Sequence, residues 1–107
     1  MVVSGEEVKT HLRIENDDED AYLEGLIKQA QATAEDFCRV DFEPTTVTDE
    51  EGNETIIPPP EPVRLAILLM VSHYFENRDN ADRAVYGTMR IAFENLLYPY
   101  RDPDKMF

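Results

Sequence analysis

EPVRLAILLMVSHYFENRDN, Glu61 to Asn80, is the stretch on which the reading of this chain turns. Between Val63 and Val71 only Arg64 is polar. On a helix, Val63, Ala66, Ile67, Met70, Val71 and Tyr74 form one stripe, while Leu65, Leu68, Leu69 and Phe75 cover much of the remainder. A helix apolar nearly all round is a central core helix, a membrane span, or a helix that also serves a partner. The span is excluded on length: the run falls well short of roughly 20 residues, and His73, Glu76 and Arg78 follow it. Leu68 separates the other two. It lies between Arg64 and Ser72 on what the pattern makes the solvent stripe. Either a four-helix core covers it or it faces a neighbouring subunit, and both readings stay open. Burial of each such side chain contributes about 1.5–3 kcal/mol, a large share of a small domain's margin.

Working outward, Leu23, Leu26, Ile27, Ala30, Ala34, Phe37 and Cys38 recur at helical spacing, which predicts a half-buried helix over about Glu19 to Arg39. Cys38 sits on its apolar side, so a buried, unreactive thiol is expected. As the only cysteine it forms no intrachain disulfide. Upstream, Ser4 and Glu7 fit a capping box for a short helix, Gly5 to Leu12. NDDED, Asn16 to Asp20, looks like a calcium loop but fails the test. Started at Asn16, the loop has Ala21 where the glycine belongs and Ile27 where the glutamate belongs. Carboxylates gathered at a helix N-terminus are expected instead.

Residues 40–62 break the helical rhythm. Thr45 to Thr48 and Thr55 to Ile57 favour extended chain, with Gly52-Asn53 supplying a turn and Val47 and Ile57 as apolar anchors. Two strands alone are marginal in water, so this hairpin needs the helices or a neighbouring subunit to lean on. Pro58, Pro59 and Pro60 stiffen the return, and Pro62 suits a first helical turn, which favours helix entry over a PxxP ligand. Beyond Asn80, AVYGT (Ala84 to Thr88) is expected to be a loop pivoting on Gly87. A last helix then runs over about Met89 to Tyr98, with Met89, Phe93, Leu96 and Leu97 inward. The expected fold is mainly α. Two longer antiparallel helices and two short ones form a small bundle within a single domain, 1–107. An acidic arm, about 41–60, projects between the long helices, and a tail runs over about 99–107.

The charge is segregated. Of 23 acids and 10 bases, residues 1–40 hold ten and four, residues 41–61 seven and none, and residues 62–107 six and six. A net charge of −13 argues against gripping phosphates, since duplex DNA carries about one negative charge per 1.7 Å of axis. MVVSGEEVKTHLR has no apolar signal core, so a soluble chain made in the cytoplasm is expected. His11 and His73 show no HExxH or paired Cys/His spacing, and neither GxxxxGK[ST], GxGxxG nor GxSxG occurs. His73, beside the apolar run, fits a core histidine better than a general base. No catalytic residue, cofactor or metal is assigned.

EEVKTHLRIENDDEDAYLEGLI (Glu6 to Ile27) closely resembles the opening of the phage head–tail connector proteins, a family also described as head-completion or DNA-packaging proteins. PPPEPVRLAILLMVSHYFENR (Pro58 to Arg78), the short Gly-containing loop and ENLLYPYR (Glu94 to Arg101) agree in order. The run Tyr74 to Arg78 is one residue looser than the family's YENR. The resemblance implies a mainly helical subunit, without catalytic residues, that forms a closed ring of roughly a dozen copies beneath the portal protein. Such a ring lengthens the DNA channel, passes DNA without specific binding and offers a docking surface to tail-completion proteins. It resides in the virion at the head–tail junction after assembly in the host cytoplasm, and a prophage copy would look the same.

On this reading the subunit or partner contacts are expected from Leu65, Leu68, Leu69, Tyr98, Tyr100, Arg101, Met106 and Phe107. The acidic arm residues Asp49, Glu50, Glu51 and Glu54 would repel DNA if they face the channel. The alternative is an acidic protein-binding module or DNA mimic that captures a nucleic-acid enzyme. That reading requires acids at regular phosphate-like spacing, whereas Tyr22 to Cys38 alternates ordinary helical faces.

Overall fold

The computed structural model describes residues 1–77 and 83–105 of the chain. Its elements are α1 (Gly5–Leu12), α2 (Asp20–Cys38), β1 (Thr45–Thr48), β2 (Glu54–Ile57), α3 (Glu61–Glu76) and α4 (Arg83–Leu97), followed by short 3₁₀ turns at Tyr98–Tyr100 and Pro103–Lys105. The mainly α architecture with a two-stranded arm is the expected one.

α1 starts where Ser4 Oγ accepts the Glu7 backbone N–H at 3.1 Å. Only half of the capping box closes, because the Glu7 carboxylate turns away to Arg64 Nη1 at 2.8 Å. α1 and α2 both stop on an arginine in the left-handed region, Arg13 at φ 60° and Arg39 at φ 59°. There the N–H of each turns back onto the last carbonyls of its helix.

α3 is the centre of the molecule: α1, α2 and α4 all pack on it. Val63, Ala66, Ile67, Leu68, Met70 and Val71 are buried. They meet Leu23, Ile27, Ala30 and Ala34 of α2 and Met89, Phe93 and Leu97 of α4 in one continuous core. Among the described residues no helix is long and apolar enough to cross a membrane.

Two expectations are corrected here. Ala84 to Thr88 is not a loop but the first turns of α4, with Thr88 Oγ1 donating to the Ala84 carbonyl at 3.0 Å. Packing outweighs Gly87: the Tyr86 ring lies 5.9 Å from His73 and 6.4 Å from Tyr74 on α3, which holds the start of α4 against the end of α3. Leu68, in turn, does not lie on a solvent stripe. It is 6 % exposed and belongs to the chain's own core. α1 packs beside that face, with Glu7 bound to Arg64 and with Thr10 and His11 lining the same groove as Leu68.

NDDED has a role that periodicity alone does not reveal. Glu19, at the N-cap of α2, makes no side-chain cap. Asp17 and Asp20 instead close on Lys9, a buried residue of α1 whose Nζ lies 3.0 Å from Asp20 Oδ1 and closer to Asp17. Hydrogen bonds to Asp17 and then Asp20 push Lys9 up from 10.5 to about 12, and the bond from Lys9 holds the Asp17 carboxyl below its ordinary 3.8. The lowered carboxyl contributes stability above pH 3.8 that is lost as pH falls through its folded value. The raised ammonium contributes stability below pH 10.5 that is lost as pH rises through about 12. Thermal melts of Lys9→Met are therefore expected to lie below those of the wild type near neutrality. The gap should shrink as pH drops below 3.8 and again towards pH 12. A gap constant across pH would assign the loss to packing of the lysine stem instead.

Candidate assembly interface

The arm is built locally. β1 and β2 pair antiparallel, Thr45 with Ile57 and Thr48 with Glu54, and the Asp49 N–H donates to the Asn53 carbonyl at 2.9 Å to close the loop. Gly52 takes φ 87°, the left-handed position that a three-residue hairpin loop demands. Asp49 Oδ1 accepts the N–H groups of Asn53 at 2.8 Å and Glu51 at 2.9 Å, and these bonds hold its carboxyl below the usual range. All eight strand residues are exposed. Val47 and Ile57, expected as anchors, are about half exposed at 48 % and 50 %, so they do not seat the arm on its own helices.

Two open grooves meet along α3 at Leu69, and Leu65 borders the first of them. One, of about 620 Å³, lies against α1 and is lined by Glu6, Thr10, His11, Leu65, Leu68 and Leu69, with the Arg64 and Glu7 pair at its edge. The other, of about 570 Å³, lies against α4 between Leu69, Ser72, Val85, Met89 and Ala92. Leu65 is 44 % exposed, Leu69 is half-buried, and Leu68 forms only the floor. The Ser72 hydroxyl is buried without a hydrogen-bond partner. Arg64 is fixed by Glu61 at 3.0 Å as well as by Glu7, and those bonds, Glu61 first, raise its already high pKa.

A third surface forms where α4 ends. Tyr98 is exposed, Tyr100 packs half-buried against the core, and Arg101 is half-buried with its guanidinium 4.8 Å from the Phe37 ring and 5.4 Å from that of Tyr98. The Asp102 N–H donates to the Cys38 carbonyl at 2.9 Å, tying this end to α2. Cys38 itself is fully buried, its Sγ 3.5 Å from the Leu97 carbonyl. Burial pushes the thiol's pKa up and the Arg101 charge offsets part of that rise. Met106 and Phe107 lie outside the described residues, as do Arg78 to Asp82.

The candidate residues therefore separate. Leu65 and Leu69 share one face, Tyr98 and Arg101 another, and the arm acids project away from the core. Sequence reasoning missed the Lys9 clamp and the stacking of Arg101 on Phe37. The Arg101 stacking joins residues 64 positions apart and leaves no trace in the sequence, whereas the Lys–Asp pairing spans only 8 and 11 positions and shows there merely as opposite charges. Among the described residues no group of three His, Cys, Asp or Glu side chains is placed to hold a metal ion.

The surface exceeds what a compact chain of this mass needs. Its 7256 Å² compares with about 6,100 Å² from the size scaling of monomers, and its radius of gyration of 15.5 Å with about 13 Å. A flat molecule, 17 Å in its thinnest extent, with an exposed two-stranded arm and open apolar grooves is an acidic, mainly helical protein. Residues 6–102, which include all but the first residue of the four helices, match the model of the phage gp6-like head-tail connector proteins. The chain belongs to that family. No curated protein and no solved structure matches it.

Proposed function

We propose that the protein is the repeating subunit of a closed ring at the head–tail junction of a tailed phage or prophage-derived particle. The ring sits below the portal protein, lengthens the DNA channel and presents a docking surface to tail-completion proteins. It assembles in the host cytoplasm, and the chain acts as one structural domain without a catalytic step. The observation that carries this reading is the family match across the helical body of a molecule whose arm and α3 grooves lack internal cover. A closed ring needs two different complementary patches on each subunit, and a separate arm and body supply them.

DNA passage follows from charge. Each copy contributes −13, so a ring of about a dozen copies repels a duplex instead of releasing counterions to it. Light scattering over a wide concentration range, with and without the portal protein, tests the proposal. The expected result is a discrete large oligomer that does not retain duplex DNA at low salt. A strict monomer that also ignores the portal, or a ring that holds DNA at low salt, overturns it.

A further inference from the structure

Arg101 stands apart from the other half-buried arginines. Arg64 and Arg90 are each paired with carboxylates, at 2.8 Å to Glu7 and 2.9 Å to Glu94. Arg101 has no ion pair among the described residues, and its Nε is buried without an acceptor. The Phe37 and Tyr98 rings hold its planar fork in place without neutralising it. A guanidinium fixed in this way has little freedom left for a carboxylate partner to remove.

The arm presents the complement. Asp49 is committed to its own loop, but Glu50, Glu51 and Glu54 form no ion pair among the described residues. The strand register puts Glu54 and Ile56 on one face with Thr46 and Thr48. Ile56, at 67 %, and Tyr98, at 65 %, are the two most exposed large apolar side chains described. Each has a charge beside it: Glu54 lies two residues before Ile56, and Arg101 lies 5.4 Å from Tyr98. Each patch thus sets an exposed apolar side chain beside a charge, and the two charges are opposite.

We infer that the Glu54–Ile56 face of one subunit's arm seats on the Tyr98–Arg101 patch of the next copy, with the Glu54 carboxylate meeting the Arg101 guanidinium and Ile56 covering the Tyr98 ring. This rests on the ring reading and names its head-to-tail contact. The arm gains the support that a lone hairpin lacks. Glu50 and Glu51 at the tip stay free.

A charge-reversal cycle tests the contact. Glu54→Arg and Arg101→Glu are each expected to lower the assembled fraction at fixed concentration about tenfold or more, and the double reversal to restore most of it. Circular dichroism melts check folding. If Arg101→Glu does not fold, Arg101→Gln and Glu54→Gln form the cycle, and their double variant is expected to assemble no worse than either single one. Purely additive losses in a protein whose wild type forms rings overturn the contact and leave the ring intact. A wild type that never assembles, with or without portal protein, removes both.

Discussion

Leu68→Asp is expected to abolish folding, whereas Leu65→Asp, one helical turn earlier, is expected to fold normally and fail to assemble. Leu68 is 6 % exposed within the core, so truncation alone costs about 2–5 kcal/mol, and a buried unpaired carboxylate adds to that. Small domains hold roughly 5–15 kcal/mol in total, so the variant loses most or all of its margin. Leu65 is 44 % exposed on the groove beside α1. An exposed substitution there changes stability by only about 0.5 kcal/mol. It does, however, place a charge in a groove already bordered by Glu6 and Glu7. Thermal melts and light scattering on both variants decide the matter. A Leu68→Asp protein that melts like wild type but stays monomeric would show that Leu68 serves a neighbour, and a Leu65→Asp protein that assembles normally removes this groove from the interface.

These two leucines also mark where the sequence stops being informative. The apolar run of α3 identifies the central helix because its length and content are local properties. The α2 spacing likewise names Leu23, Ile27, Ala30 and Ala34 as core. Leu68 is buried in the core at the floor of the groove beside α1, and the tie that sets α1 there, Glu7 to Arg64, spans 57 positions and is encoded by no periodicity. Ala84 to Thr88 reads as a loop because Gly87 weakens a helix, yet Tyr86 against His73 and Tyr74 reverses the outcome. The same limit applies to the assembly surfaces. The acidic arm was visible as six acids without a base over residues 41–60, and the strand register then sorts its side chains into two faces. Arg101 was an expected contact residue in the sequence, but its seat on Phe37, 64 positions upstream, was not visible there.

Replacing residues 45–57 with a short Gly-Ser connection should separate folding from assembly most cleanly. None of those residues belongs to the core, and all eight strand positions are exposed. Excision therefore removes almost no buried apolar surface from the isolated subunit. Shortening the connection changes loop-closure entropy by only about 0.6 kcal/mol per halving, in the stabilising direction. The urea midpoint is expected to stay within the equivalent of about 1 kcal/mol of wild type, with little change in the slope of the transition, since that slope follows the surface exposed on unfolding. Assembly should behave quite differently. If the arm supplies one of the two patches of a head-to-tail contact, every interface in the ring loses the same half at once, and closure multiplies the effect. The excised protein should remain monomeric at concentrations where the wild type is fully assembled. Adding the intact protein cannot rescue a closed ring, because each excised subunit still lacks the arm that its neighbour's Tyr98–Arg101 patch receives. Unfolding on excision would mean that the arm supports its own helices, and normal rings from the excised chain would remove the arm from the interface and leave the α3 grooves to carry it.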